Sequence, residues 1–263
     1  ATIDMGAGTN DTLVLADVNA LAATLDNSSQ VTLSGVETII VNQDSTLFNN
    51  VLLDGKAYTI KTATGAETIT VNAYDKSGVA TTASTDLSGL TLSTATGSAV
   101  AGVTINGLAN AVNTIKGTSG KDTITAGTKA DIIDLSKGGA DVVTIAAGDS
   151  TWLSTSNNNV DKIASFSTSG LTASADKLVF SVGTVTKANA VADVEAATAV
   201  KGETVAAGTV LANIDANGLL TASGINANKI DTLEEYLNVA KLAIDNGGAA
   251  ATVTETLAFK FAG

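Results

Sequence analysis

Short stretches in which Thr alternates with Ile, Val or Leu recur along this chain, separated by Gly, Asn, Asp and Ser. The period of two predicts half-buried strands with one face inward. Candidate strands in the first half are Asp11–Ala16, Val31–Ser34, Glu37–Asn42, Tyr58–Thr62, Glu67–Ala73, Leu90–Ser93 and Val103–Asn106. Thr, Val and Ile suit a pleated surface packed on one side. A template also repeats: Gly-Val-Glu-Thr-Ile (35–39), Gly-Ala-Glu-Thr-Ile (65–69) and Gly-Lys-Asp-Thr-Ile (120–124), with Asn-Asp-Thr-Leu (10–13) as a weaker copy. Similar rungs at intervals predict a ladder in which each rung buries its Ile against the next. The two Glu copies lack the flanking glycine turn and are read as solvated rungs.

The second half differs. Segments 160–166 (VDKIASF) and 175–183 (ADKLVFSVG) read as strand pairs closing the ladder, and Ala-rich 188–200 reads as helix. The strongest helix spans 232–246. Thr232 and Glu235 form a capping box at its start, and Leu233, Tyr236, Leu237, Ala240 and Ile244 share one face, which is expected to pack on a sheet. A strand over 254–261 follows, and a short helix is expected over 17–25 with Asp17 as N-cap. The expected fold is mainly β: a parallel β-roll or β-solenoid with calcium-binding turns over 1–150, and a smaller roll-closing, β-rich region with one or two helices over 151–263.

Composition narrows the chemistry. The 263 residues include no Cys and no His, which removes zinc-type ligands, thiol chemistry and the Ser-His-Asp and His-Glu-x-x-His arrangements. Gly-x-Ser-x-Gly does not occur either, so an enzyme is not expected. A net charge of −12 argues against nucleic acid and against an anionic membrane surface. No apolar run approaches the roughly 18 residues of a membrane span. The N-terminal residues lack the features of a Sec signal, so export is expected through a C-terminal signal, and without an initiator Met the chain is expected to be a fragment or processed product.

The sharpest pattern lies at 117–145. Gly-Thr-Ser-Gly-Lys-Asp-Thr-Ile-Thr, Ala-Gly-Thr-Lys-Ala-Asp-Ile-Ile-Asp and Lys-Gly-Gly-Ala-Asp-Val-Val-Thr-Ile each carry glycine, then Asp, then an apolar residue two positions on. The aspartates are Asp122, Asp131 and Asp141, at spacings of nine and ten; the apolar residues are Ile124, Ile133 and Val143. This is a degenerate form of the Gly-Gly-x-Gly-x-Asp-x-apolar-x nonapeptide of calcium-binding rolls. Two nonapeptides make one coil, so turns on one edge recur about every eighteen residues. Asp122 with Asp141, and Asp131 with Asp149, satisfy that spacing, so one Ca2+ is expected between each pair. Gly117, Gly120, Gly127, Gly138, Gly139 and Gly148 would shape the turns through positive φ and aim carbonyl oxygens at the ion, a hard cation with six to eight oxygen ligands. Gly6, Gly8, Asn10 and Asp11 form a second candidate turn. The competing expectation is a metal-free solenoid whose Asp, Asn and Gly serve the turns alone.

These residues resemble the RTX proteins of type I secretion over 117–149 and, less fully, over 3–15. The Asp-Lys-Ile-Ala-Ser-Phe and Ala-Asp-Lys-Leu-Val-Phe segments are similar to the part that closes RTX rolls, and the resemblance implies Asp161 and Asp176 as further calcium contacts. Within that family the Thr-, Ala-, Ser- and Val-rich composition, the lack of Cys and His and the strand Ser34–Val41 most resemble bacterial surface-layer (S-layer) proteins. The resemblance implies an extracellular, cell-surface protein that assembles with itself into a calcium-dependent lattice or filament. It also implies attachment to cell-surface polysaccharide through a separate anchor. The alternative is a calcium-stiffened adhesin or biofilm-matrix filament. Trp152, beside the last turn, reads as a core or capping residue more readily than as a sugar platform.

Overall fold

The computed structural model describes residues 2–15, 32–42, 45–63, 67–75, 77–94, 96–97, 102–146, 149, 159–167 and 175–180, and shorter segments within 184–259. The chain forms two compact units, Ala1–Ser181 and Val182–Gly263. The division falls later than residue 150, because strands after that point extend the sheets of the first unit.

The first unit is built from short parallel strands: β1 (Thr2–Asp4), β2 (Thr12–Leu15), β3 (Thr32–Ser34), β4 (Thr38–Val41), β5 (Ser45–Asn49), β6 (Thr59–Thr62), β7 (Thr68–Asn72), β8 (Thr82–Asp86), β9 (Thr91–Thr94), β10 (Thr104–Asn106), β11 (Val112–Lys116), β12 (Thr123–Thr125), β13 (Ile132–Asp134), β14 (Val142–Ile145), β15 (Lys162–Ala164) and β16 (Lys177–Phe180). One sheet runs β2-β4-β6-β9, a second β5-β7-β10-β12-β14-β16 and a third β8-β11-β13-β15, while β1 pairs with β3. From β6 to β11 the chain visits the three larger sheets in turn. From β12 onward the described strands alternate between two of them. The change coincides with the nonapeptides, whose short turns leave room for only two strands per coil.

Register explains the Thr-Ile alternation. Thr12, Thr38, Thr59 and Thr91 stand side by side, and so do Leu13, Ile39, Ile60 and Leu92 one position later. Phe48, Val71, Ile105, Ile124, Val143 and Leu178 form the inward column of the second sheet. Ile115, Ile133 and Ile163 form that of the third. Ile39, Ile60, Ile105, Ile124, Ile133 and Val143 are fully buried. Each inward side chain contributes about 1.5–3 kcal/mol, which is why β-branched residues recur at these positions. A helical turn, α1 (Asn50–Leu53), capped by the Asn49 side chain, adds Leu52 and Leu53 to the core.

Thr62 breaks the apolar column. It follows Leu15 and Val41 in register and is fully buried, and its Oγ1 has no hydrogen-bond partner. A buried hydroxyl left unpaired costs roughly 1–3 kcal/mol, and Val has nearly the same shape. Thr62→Val is therefore expected to stabilise the fold by about 1 kcal/mol in urea unfolding. A destabilised variant would show that the hydroxyl is satisfied in solution.

Several expectations change. β15 and β16 do not pair with each other; β15 continues from β13 and β16 from β14. Part of the helix expected at 188–200 is instead β18 (Asn189–Asp193), the first strand of an antiparallel run with β19 (Leu211–Ile214) and β20 (Leu219–Ser223). High Ala content favoured the helix, but cross-strand pairing outweighs so weak a propensity. The strand expected at 254–261 divides: β21 (Glu255–Thr256) pairs with β17 (Thr184–Val185), and β22 (Ala258–Phe259) pairs with β20. The helix expected at 17–25 lies outside the described residues.

In the second unit, residues 235–237 and 239 are helical. The capping box is formed: Thr232 N–H donates to Glu235 Oε2 at 2.9 Å, and Glu235 N–H donates to Thr232 Oγ1 at 3.3 Å. Tyr236 stacks on Phe259 of β22 with ring centroids 5.5 Å apart, and Leu237 and Val239 are buried. Tyr236 of the expected face thus packs on its own sheet, while Leu233, Ala240 and Ile244 lie outside the described residues. No helix among the described residues is long and apolar enough to cross a membrane.

Candidate functional site

Each aspartate of the nonapeptides stands immediately before a strand, and this position decides what it does. In parallel coils the carbonyl of such a residue accepts the N–H of the first strand residue one coil on. Val142 N–H donates to Asp122 O, Lys177 N–H to Asp141 O and Lys162 N–H to Asp131 O, at 2.7–2.8 Å. Its own N–H has no strand partner there. The carboxylate from the next coil reaches back and accepts it, which lengthens the ladder by one bond.

Two columns result. In the first, Asp122 Oδ1 accepts Val103 N–H at 3.0 Å, Asp141 Oδ1 accepts Asp122 N–H at 2.8 Å and Asp176 Oδ1 accepts Asp141 N–H at 2.9 Å. In the second, Asp131 Oδ1 accepts the backbone N–H of Asn113 at 2.6 Å and its amide Nδ2 at 3.0 Å, and Asp161 Oδ1 accepts Asp131 N–H at 2.9 Å. The N-terminal coil has one step of the same kind, from Asp11 N–H to Glu37 Oε2 at 2.8 Å.

The expected pairs are met in part. Asp122 and Asp141 are joined directly. Asp131 is not followed in its column by Asp149. The chain between β14 and β15 is longer than one nonapeptide, so the next member is Asp161, thirty residues on. Asp149 lies close enough for its charge to raise the pKa of both Asp131 and Asp161, while its own Oδ2 accepts Ala146 N–H. Asp161 and Asp176, carried over from the resemblance, are full members of the columns.

The glycines also divide. Positive φ holds at Gly138 (78°), Gly139 (133°) and Gly6 (93°). Gly117 is required by close approach instead, since a Cβ there would stand 2.5 Å from Asp122 Oδ2. A Cβ at Gly8 would likewise meet the Asp11 carboxylate, and one at Gly127 would meet Leu108 O. Gly120 N–H donates to Thr118 Oγ1 at 3.1 Å. Asn10 O accepts from Thr12 Oγ1 at 3.5 Å, so Asn10 acts here as a local turn residue. Gly148 and Trp152 lie outside the described residues.

Four residues take part that the sequence expectation did not place in the site. Glu37 is bonded across coils, and Glu67 is buried, so the Glu copies of the template are not solvated. Their place before Thr-Ile was the available signal. Asn113 stands where the nonapeptides carry Asp, and its amide donates to Leu108 O, Ala111 O, Ala126 O and Asp131 Oδ1. Asn159 Nδ2 joins two turns by donating to Thr128 O at 2.7 Å and Asp149 O at 3.2 Å. No short-range pattern marks it.

The electrostatics are unusual for carboxylates. Asp122 and Asp131 are fully buried and Asp141 nearly so. Burial raises the pKa of all three, opposed by the N–H groups they accept. Asp141 is pushed up to about 6, with the charges of Asp122 and Asp176 adding to burial. Asp161 is pushed up to about 7, with Asp131 and Asp149 adding. The single ion pair found among the described residues is Lys116–Asp86 at 3.6 Å, on partly exposed side chains, and it involves no member of either column.

Hard carboxylate and carbonyl oxygens are calcium ligands in kind. Among the described residues no three acidic side chains converge on a common metal position, so turn carbonyls and water would complete any shell. Two carboxylate oxygens fit a cation in kind: Asp11 Oδ2 and Asp131 Oδ2 are buried and accept no hydrogen bond. Fold and site together define a parallel β-solenoid whose turns are closed by buried carboxylates. The chain matches no protein-family model, no curated protein and no solved structure.

Proposed function

We propose that this chain is a structural subunit of a bacterial surface layer, outside the cell, whose folding and self-assembly depend on calcium. The observation that supports this best is the set of carboxylates buried in successive turns, Asp122, Asp131 and Asp141, none of which is in an ion pair among the described residues. Like charges at this proximity destabilise the neutral-pH fold unless protons or a divalent cation meet them. Repeated parallel strands in a chain of net charge −12 suit a lattice more than a catalyst, and divalent ions can bridge acidic groups of neighbouring copies. Type I secretion and a separate polysaccharide-binding anchor complete this reading, both taken from the RTX resemblance.

The test is thermal unfolding together with electron microscopy of the full chain, in millimolar calcium and then in excess chelator. Calcium is expected to raise the melting temperature, since a hundredfold excess over Kd adds about 2.7 kcal/mol per site. Ordered sheets are expected with calcium and dispersed particles with chelator. Filaments in place of sheets would favour the matrix reading, and calcium-loaded monomers that bind glycans would favour the adhesin. Monodisperse chains with an unchanged melting temperature would remove the proposal.

A further inference from the structure

The outward faces of the three larger sheets of the first unit differ in charge. In the second sheet the core takes every other residue, so Thr70, Thr104 and Thr123 stand side by side in one outward column and Asn72, Asn106 and Thr125 in the next. Lys177 and Val179 of β16 close these columns at one end, where Val179 is 42% exposed. Neither Asp nor Glu occupies an outward position of these six strands, although the chain has a net charge of −12. The third sheet instead turns Asp86, Lys116, Asp134 and Lys162 outward. The first sheet, four strands wide, carries Lys61 between Ile40 and Ser93.

A face that another molecule covers must give up its water. Charged groups resist this far more than hydroxyls and amides that find a partner. The second sheet is therefore the face that sheds water at the lowest cost. Asn106 Nδ2 already donates to Asn72 Oδ1 at 2.8 Å, so part of its surface is satisfied before anything docks. Its described outward residues offer no aromatic ring on which a sugar could stack, and one Lys at one end cannot track a phosphate backbone. A second copy of the chain fits on two counts. Two chains of charge −12 repel each other, and here they meet without opposing acidic side chains. The rungs of both copies also recur at the same spacing of about 4.8 Å, so the Thr and Asn columns of one match those of the other.

We infer that the outward face of the β5-β7-β10-β12-β14-β16 sheet is the surface through which two copies of this chain pack, sheet against sheet. The inference rests on the self-assembly part of the function proposed above and names the surface that carries it. Six strands of three to five residues span roughly 300–400 Å2, well under the about 800 Å2 per partner of a stable interface. A lone pair is therefore weak and separates on dilution. The contact holds where each copy has further neighbours, as in a lattice.

The chain has no Cys, so an introduced thiol reports only on its own neighbours. The test is cross-linking of the full chain with a short bismaleimide, comparing Thr123→Cys with Thr114→Cys of the third sheet and Thr91→Cys of the first, all at exposed positions. β12 lies next to the middle of the six-stranded sheet, where a two-fold relation brings a residue close to its own copy. The expected result is at least tenfold more covalent dimer from Thr123→Cys than from either of the others, with melting temperatures that match wild type. Thr123→Glu sets like charges against each other across the contact and should lower the assembled fraction at least tenfold, while unfolding in urea as Thr114→Glu does. Dimer from Thr114→Cys or Thr91→Cys in place of Thr123→Cys, dimer from none of them while wild type still assembles, or full assembly of Thr123→Glu would overturn the choice of face and leave self-assembly standing. If wild type does not assemble and no variant cross-links, both fall.

Discussion

Replacing Asp122 with Ala is expected to cost about 3–5 kcal/mol, the largest loss from a single substitution in the roll. Asp122 is fully buried and serves three donors on two different coils. Removing it strands the N–H groups of Val103 and Thr118 in the interior, at roughly 1–3 kcal/mol each, and leaves a small cavity beside Gly117. Asp122→Asn is the graded control. Its amide oxygen still accepts one N–H, but its NH2 faces a donor where a carboxylate oxygen stood, so about half the loss is expected. Asp134→Ala sets the baseline, because among the described residues that carboxylate accepts only the exposed turn N–H of Ser136, and its loss should cost under about 1 kcal/mol. Urea unfolding of the three variants checks the order. Equal losses in Asp122→Ala and Asp134→Ala would mean that the column carries no stability.

This prediction shows where the sequence was informative and where it was not. Alternation of Thr with Ile was enough to place β2, β4, β6, β7 and β10 within a residue or two, because a half-buried strand needs that period. The inward positions of Ile124, Ile133 and Val143 followed from the nonapeptide. β8 was not legible. Its sequence, Thr-Ala-Ser-Thr-Asp, has no large apolar residue, and it is a strand because β11 pairs along its whole length. Ala-rich 188–200 misled for the opposite reason: composition favoured a helix at a place where β19 supplies cross-strand bonds.

The site was legible as a list of residues and not as a mechanism. The nonapeptide implies aspartates that aim sideways at an ion between turns. The carboxylates instead reach along the axis, each taking the N–H of the coil before it. That role needs only an acid before Thr-Ile, which is why Glu37 fills it without a glycine-rich turn. Spacing also misassigned the partner of Asp131. Eighteen residues leads to Asp149, but the coil that stacks on β13 is longer, and Asp161 arrives thirty residues on. Loop length in the intervening coil sets that register, and no local motif reports it.

The second large effect is on pH dependence, and its sign is opposite to that of a carboxylate held by a salt bridge. Asp141 is pushed up to about 6 and Asp161 to about 7, against an ordinary carboxylate value near 3.8. In the unfolded chain both release their protons near that ordinary value. In the fold they keep them to higher pH, because burial and the facing charges penalise the anion: Asp122 and Asp176 act on Asp141, and Asp131 and Asp149 on Asp161. The stability they confer is therefore fully present below about pH 4, falls as pH rises, and is gone above about pH 7. In chelator the melting temperature should drop between pH 5 and pH 8. Solvent at the edges of the columns screens part of the effect, leaving about 2 kcal/mol, or on the order of 4–8 °C for a unit of this size. The chain's net charge of −12 pushes in the same direction, so the variants decide the cause. Asp161→Asn carries no titrating group there and should remove most of the slope, whereas Asp134→Asn, which alters net charge equally, should leave it. On the proposed function calcium should also flatten the profile, because a cation near a carboxylate favours the anion over the acid. A melting temperature that rises from pH 5 to pH 8 in chelator would show that these carboxylates are already ionised and stabilised by the fold alone.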